Sequence, residues 1–434
     1  MIAATVIFVL TYLLIASEKV DRTIAALLGA AAVCLFHIAP FEELVHKVDL
    51  NVIFLLVGMM IIVNLLAVTG VFEWIAISVA QLCRGNGMLV VVGLLLVTAI
   101  VSAFLDNVTT VLLIAPVTIL LAEILEISAV PILILEAIYS NFGGTATMVG
   151  DPPNIVIGSQ TALTFNDFLI NLTPVVAIVI VLTTPVLMLC LRRRMAVKGS
   201  VRETVMRAQP RLAIVEPAVL RRALPVFALV LIGFFVSHLC RWEPGIIALG
   251  GAMLMVWVCR QSLHAVVSQV EWSAILFFMG LFILIGALEI NGVLDLVAKQ
   301  LLAVSGGNFL LTVLMILWAS AILSAIVDNI PLVIALIPMI KTLVPVFASR
   351  FGLEGDAAAV HTQVVEPLFW ALALGACLGG NGSLIGASAN IVIAQIAHRN
   401  HYRLSFWDFT SYGLPMMLAS IVICSVYLYL RYFW

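Results

Sequence analysis

Gly143-Gly144-Thr145-Ala146-Thr147-Met148-Val149-Gly150-Asp151-Pro152-Pro153-Asn154 interrupts one long apolar run, and Gly379-Gly380-Asn381-Gly382-Ser383-Leu384-Ile385-Gly386-Ala387-Ser388-Ala389-Asn390 interrupts another. At an offset of 236, residues 143–157 and 379–393 agree at 7 of 15 positions. Upstream the offset is 222. There 48–76 matches 270–298 at 8 of 29 positions and 102–121 matches 324–343 at 7 of 20, which sets Asp106-Asn107 on Asp328-Asn329 and Pro116 on Pro338. At offset 241, Phe165, Asp167 and Pro174 fall on Phe406, Asp408 and Pro415. Likeness between apolar sequences aligns Leu with Val, but it does not bring Asp-Asn, Pro and Gly-Gly into register. The chain reads as two copies of one unit, 1–191 and 223–434, joined by a polar stretch at 192–222.

The solvent of these copies follows from composition. Of 434 residues, 64% are hydrophobic and 10% charged, where a soluble domain carries about a quarter charged. Apolar runs at 52–68, 88–105, 175–191, 274–288 and 414–430 approach the roughly 20 residues that cross a hydrocarbon core as helix. The expected fold is therefore all-α and integral to the membrane. It has about ten transmembrane helices in two inverted-topology repeats, each with a re-entrant hairpin and a broken helix. In the first copy the crossings fall at 2–17, 23–37, 50–69 and 171–191, with the hairpin at 88–122 and the broken helix at 130–159. Five crossings is an odd number, so the second copy enters the membrane upside down. The first sixteen residues lack a charged leader and a small-residue cleavage site and read as a retained first helix.

The joint carries nine Lys and Arg against Glu203 and Glu216, which marks it as cytoplasmic by the positive-inside rule. With the N-terminus outside, 15 of the 21 basic residues lie on the cytoplasmic side. The expected location is the inner (plasma) membrane.

Several functions are excluded. The seven cysteines are scattered without a CxxC pair and the histidines sit near the ends of apolar runs, so no metal centre is expected. Cys377 reads as a small apolar filler. No phosphate loop, HExxH or protease pair is present. The chain is not expected to be an enzyme or to carry a cofactor, and energy must come from an ion gradient or a partner subunit. A net charge of −2 gives no nucleic-acid signal.

The chemistry gathers where the helices break. Paired glycines and Pro152-Pro153 cannot continue a helix, and exposed backbone is viable at membrane depth only inside protein or beside a water-filled cavity. The four breaks, around 106, 143–154, 328 and 379–390, are expected to converge on one site. Substrate contacts are expected from Asn107, Thr109, Thr110, Gly144, Thr145, Thr147, Asn154, Asn329, Asn381, Gly382, Ser383, Ser388 and Asn390, through amides, hydroxyls and free backbone groups at half-helix ends. Carboxylates inside a span are functional hypotheses because they are costly to bury. Asp106, Glu136, Asp151 and Asp328 are therefore the ion-coupling candidates, with Asp106 and Asp328 equally readable as helix caps. Asp151 is unmatched, since Ala387 holds its place in the second copy. Glu289 is expected near the outer surface. No Arg or Lys lies in the four segments, which favours a neutral hydroxylated solute, a weak monoanion or a cation.

At these residues the sequence resembles the ion transporter superfamily of arsenite permeases, sodium/proton antiporters, the melanosomal P protein and dicarboxylate/sodium symporters. Residues 140–159 and 324–338 carry the likeness, above all Ser140-Asn141-Phe142-Gly143-Gly144-Thr145-Ala146-Thr147 with Gly150-Asp151-Pro152-Pro153-Asn154, which is similar to the P-protein and arsenite-permease branch. The Asp106-Asn107 and Asp328-Asn329 tips depart from the Ser-Asn-Thr pattern of the dicarboxylate branch. The resemblance implies an elevator-like or rocking alternating-access cycle and, as leading function, efflux of arsenite or antimonite coupled to protons. Its alternatives are a sodium/proton antiporter and a P-protein-like anion permease or channel. Partners to expect are bilayer lipid, a small inorganic solute or ion, a second copy of the chain, and a peripheral ATPase subunit at 192–222.

Overall fold

The computed structural model describes residues 1–16, 19–191 and 206–434. Residues 192–205 of the basic joint, including Arg192, Arg193, Arg194, Lys198 and Arg202, lie outside the described residues. The described chain is helical, with no strand among the described residues. Eight helices there are long and apolar enough to cross a membrane.

The first half forms α1 (Ile2–Ala16), α2 (Arg22–Leu35), α3 (Phe41–His46), α4 (Leu50–Ala67), α5 (Val71–Leu82), α6 (Gly87–Ser102), α7 (Asn107–Ile124), α8 (Ala129–Thr145), α9 (Pro152–Gln160) and α10 (Phe165–Leu191). The second half repeats the order with α11 (Pro217–Cys240), α12 (Pro244–Val258), α13 (Leu263–Val267), α14 (Trp272–Ile290), α15 (Val293–Val304), α16 (Phe309–Ser324), α17 (Asn329–Arg350), α18 (Glu366–Gly379), α19 (Ser388–Arg399) and α20 (Phe406–Tyr432). Numbers ten apart mark equivalent helices. Local chemistry repeats with them: Gly70 and Gly292 take left-handed φ of 76° and 70° ahead of α5 and α15, a conformation that costs glycine little. At Gly70 an added methyl would strike the Ala213 carbonyl.

Two packed groups result. In one, α4 lies along α12 and α2 along α14, flanked by α1 and α11. In the other, α6 and α7 pack on α8, α16 and α17 on α18, and the halves are joined by α8 with α18, α7 with α19 and α9 with α17. Close helix contact at α6/α8 and α16/α18 needs glycine. A Cβ on Gly143 would stand 2.6 Å from the Ala99 carbonyl carbon, and one on Gly379 would stand 2.5 Å from Ala321 Cα.

Hydrogen bonds define the two ends of the bundle. At one, Asn64 donates to the Gln269 carbonyl at 3.1 Å, Thr23 Oγ1 to the Ser273 carbonyl at 3.1 Å, and the Val215 amide to the Thr69 carbonyl at 3.0 Å. This is the linker end. At the far end Lys47 pairs with Glu289 at 2.8 Å, and Asn51 accepts from the Gly245 amide at 2.7 Å. Glu289 thus sits near a surface, as expected.

Candidate functional site

Each break starts a helix, and the four starts meet. Asp106 caps α7 by accepting from the Thr109 amide at 2.9 Å, and it also accepts the Thr109 hydroxyl. Asp328 caps α17 through the Ile330 amide at 3.4 Å. Asp151 precedes α9, whose first residues are Pro152 and Pro153, and Ser388 opens α19. Asp106, Asn107, Asp151, Pro152, Asp328, Asn329 and Ser388 line one cavity of about 430 Å³. Four helix N-termini therefore face the same space, each presenting the positive end of its dipole. The cavity reaches the surface at the linker end, where exposed Asp21 and Glu271 form its mouth. Both caps, Asp106 and Asp328, lie on the cavity wall.

Behind the wall lies a buried amide network. Asn107 Nδ2 donates to Asn141 Oδ1 at 2.9 Å, and Asn141 Nδ2 donates to Asn381 Oδ1 at 2.8 Å and Asn390 Oδ1 at 3.1 Å. Asn390 returns donors to the Gly380 and Ser383 carbonyls at 2.8 and 2.9 Å, and Asn154 does the same for Thr145 and Thr147 at 3.1 and 2.9 Å. Cys377 Sγ donates to Asn154 Oδ1 at 3.5 Å, so this thiol is a polar member of the network and more than apolar filler. Asn141 is its hub, and the sequence reading passed over it as a site residue.

Some expected contacts turn inward. Thr145 donates to the Asn141 carbonyl at 2.6 Å, Thr147 to the Ala103 carbonyl and Ser383 to the Ala325 carbonyl at 2.5 Å. Gly144 and Gly382 are buried where a Cβ would crowd the Gly150 carbonyl at 2.6 Å and Ala325 Cβ at 2.7 Å. Thr110 is fully buried and its hydroxyl has no partner among the described residues. These groups shape the breaks and do not line the cavity. Glu136 is buried away from it, accepting from Thr118 at 2.9 Å and Thr98 at 3.4 Å. Asp151 is fully buried at the cavity floor. Asn329 donates to its Oδ1 at 3.4 Å, and its Oδ2 has no partner among the described residues.

The structure also brings a cation to the site. Arg22, at the start of α2, donates to Asp328 Oδ2 at 2.9 Å and Ser388 Oγ at 2.8 Å, and Ser388 donates to Asp328 Oδ2 at 3.0 Å. The four segments hold no base, but the assembled cavity has one. Nothing in the sequence links residues 306 apart. No group of His, Cys, Asp and Glu suited to a metal ion occurs among the described residues.

Two apolar packed groups, broken helices meeting at one polar cavity and a mouth at one end describe a carrier site, and the citrate transporter family matches this chain over residues 12–375. The chain belongs to the citrate transporter family. Within the ion transporter superfamily its relatives include the "46 kDa membrane protein" of Mycobacterium leprae, 41% identical over 99% of both chains, and an "uncharacterized transporter" of Synechocystis sp., 36% identical over 97% of this chain and 95% of that one. The "P protein" of Sus scrofa is 32% identical over 98% of this chain and 59% of its own length. The matching family and the Synechocystis relative are named as transporters and the Mycobacterium leprae relative as a membrane protein, and the present chain is likewise a multi-pass membrane transporter.

Proposed function

We propose that the chain is a secondary active exporter of arsenite or antimonite, coupled to inward proton movement through Asp151, working by an elevator-like alternating-access cycle. The observation that carries this is the charge balance of the inner wall. Counted as ionised, Asp106, Asp151 and Asp328 would contribute three negative charges against one positive on Arg22, while four helix N-termini add about half a positive charge each. The sum is close to zero. A wall of that kind, rich in hydroxyl and amide groups, suits the uncharged, polyhydroxyl form of arsenite. A free citrate trianion would have to pass acidic Asp21 and Glu271 to reach a wall with one guanidinium, Arg22, among the described residues, and the same two acids disfavour an anion permease or channel.

Asp151 is preferred to Glu136 for the proton because, although each has one buried oxygen without a partner among the described residues, of the two Asp151 alone lies on the cavity wall. Three aspartates on one cavity also support a second reading, a sodium/proton antiporter. Pairing of α1–α10 with α11–α20 supports the inverted halves 1–191 and 223–434. With the linker in the cytoplasm and the N-terminus outside the inner membrane, the cavity faces inward. A second copy of the chain and an ATPase subunit at 192–222 are partners this reading admits, separable by cross-linking in native membranes.

Everted vesicles carrying a pH-sensitive dye test the reading. Arsenite added to energised vesicles should dissipate the proton gradient and accumulate inside. Dissipation by sodium with no response to arsenite would replace the leading reading with the antiporter.

A further inference from the structure

Asp49 and Glu271 occupy equivalent positions, one residue ahead of α4 and α14, and the structure treats them differently. Asp49 Oδ1 caps α4 through the Asn51 amide at 3.0 Å and the Val52 amide at 3.2 Å. Its Oδ2 accepts from Ser159 Oγ at 2.8 Å and Gln160 Nε2 at 2.6 Å, and Asn51 Nδ2 donates to the same Ser159 oxygen at 3.0 Å. These bonds fasten the last turn of α9 to the start of α4 at the far end. Glu271 is exposed, makes no side-chain hydrogen bond among the described residues and lines the cavity mouth. The counterpart of Ser159 at offset 236 is Gln395, which is also exposed and also lines the mouth.

One latch is thus closed at the far end while its mirror image stands apart at the linker end. In a carrier built of inverted halves, alternating access exchanges the conformations of the two halves, so the closed contact of one predicts a contact of the other in the opposite state. We propose that Asp49 with Ser159, and Glu271 with Gln395, are the paired gates of the transport cycle, each closing as the other opens. Closure at the linker end joins the Gln395 amide to the Glu271 carboxylate. The inference rests on the alternating-access reading and not on the identity of the cargo.

Paired cysteines test it in membranes, with the native cysteines kept and disulfides assigned by peptide mass spectrometry. Asp49→Cys with Ser159→Cys should cross-link in most molecules. Glu271→Cys with Gln395→Cys should cross-link more slowly, as molecules visit the opposite state. Once formed, that bond should raise labelling of an added Gln160→Cys by an impermeant maleimide about ten-fold from the far side. Absence of the 271–395 disulfide, or its formation without added far-side labelling, overturns the proposal. Asp49→Asn, which keeps a capping oxygen, gives an independent measure: far-side labelling of Gln160→Cys should rise several-fold, and unchanged labelling counts against the gate. Neither readout needs a cargo, so failure here is distinct from failure of the arsenite assay.

Discussion

Asn141 and Cys377 stand at equivalent positions, two residues before paired glycines, and each donates to the asparagine of the opposite half: Asn141 to Asn390 at 3.1 Å and Cys377 to Asn154 at 3.5 Å. The crossing makes one buried network of two breaks. It also assigns the stronger donor to the first half, since a thiol is a weak donor and an amide a good one.

Asn141→Ala should therefore unfold the site. The change strands the Asn107 amide and the Asn381 and Asn390 carbonyls, at about 1–3 kcal/mol for each buried group left without a partner. Thermal unfolding in detergent should show a clear loss, whereas Cys377→Ala, which removes only the weaker donor, should cost less. Equal losses would mean that the network is not centred on Asn141.

Asp151→Asn keeps the shape and the Asn329 contact but removes an ionisable group from the cavity floor. Protein yield and thermal stability should be retained while proton-coupled transport is lost. Glu136→Gln, off the cavity wall, should leave most transport in place. The reverse pattern would transfer proton coupling to the α6–α8 cluster.

Arg22→Gln separates function from stability. The Arg22–Asp328 pair is partly exposed, with 38% of the arginine side chain accessible, and such pairs contribute about 1 kcal/mol or less. Unfolding should hardly shift, yet transport should change several-fold because the one guanidinium on the wall among the described residues is gone and Asp328 is released. A large stability loss with unaltered transport would make Arg22 merely structural.

Gly143→Ala and Gly379→Ala should each destabilise by about 1–3 kcal/mol through overpacking, because the new methyl meets backbone of Ala99 or Ala321, which cannot swing aside. Matching losses at the two positions, read by thermal unfolding, are expected from their equivalent packing. A tolerant Gly379 would show that α16 and α18 sit further apart than α6 and α8.

Much of this was legible before any coordinates. Pro152-Pro153 and the paired glycines break helices by their own covalent geometry, so the breaks could be read directly, and the caps Asp106 and Asp328 followed from their place before apolar runs. Hydroxyl direction could not be read. The sequence assigns Thr145, Thr147 and Ser383 to the site, but a broken helix has orphan carbonyls that must be met first, and these side chains meet them. Arg22 was hidden by distance along the chain. Asn141 was within reach: it is an amide inside the apolar stretch just before Gly143-Gly144, and its burial demanded partners. The amphipathic helices α5 and α15, which lie after the left-handed glycines, are 12 residues each and give no signal at the length of a membrane crossing.

The reach of Asn141 has a consequence for biogenesis. Its acceptors Asn381 and Asn390 lie 240 and 249 residues further along the chain, so the ribosome has nearly finished before that amide can be satisfied. Until then the nascent first half holds a solvent-starved donor in lipid, and its hairpin and broken helix must wait, loosely assembled, for the second half to leave the translocon. Split genes for this carrier would therefore have to be co-expressed for that amide to find its acceptors.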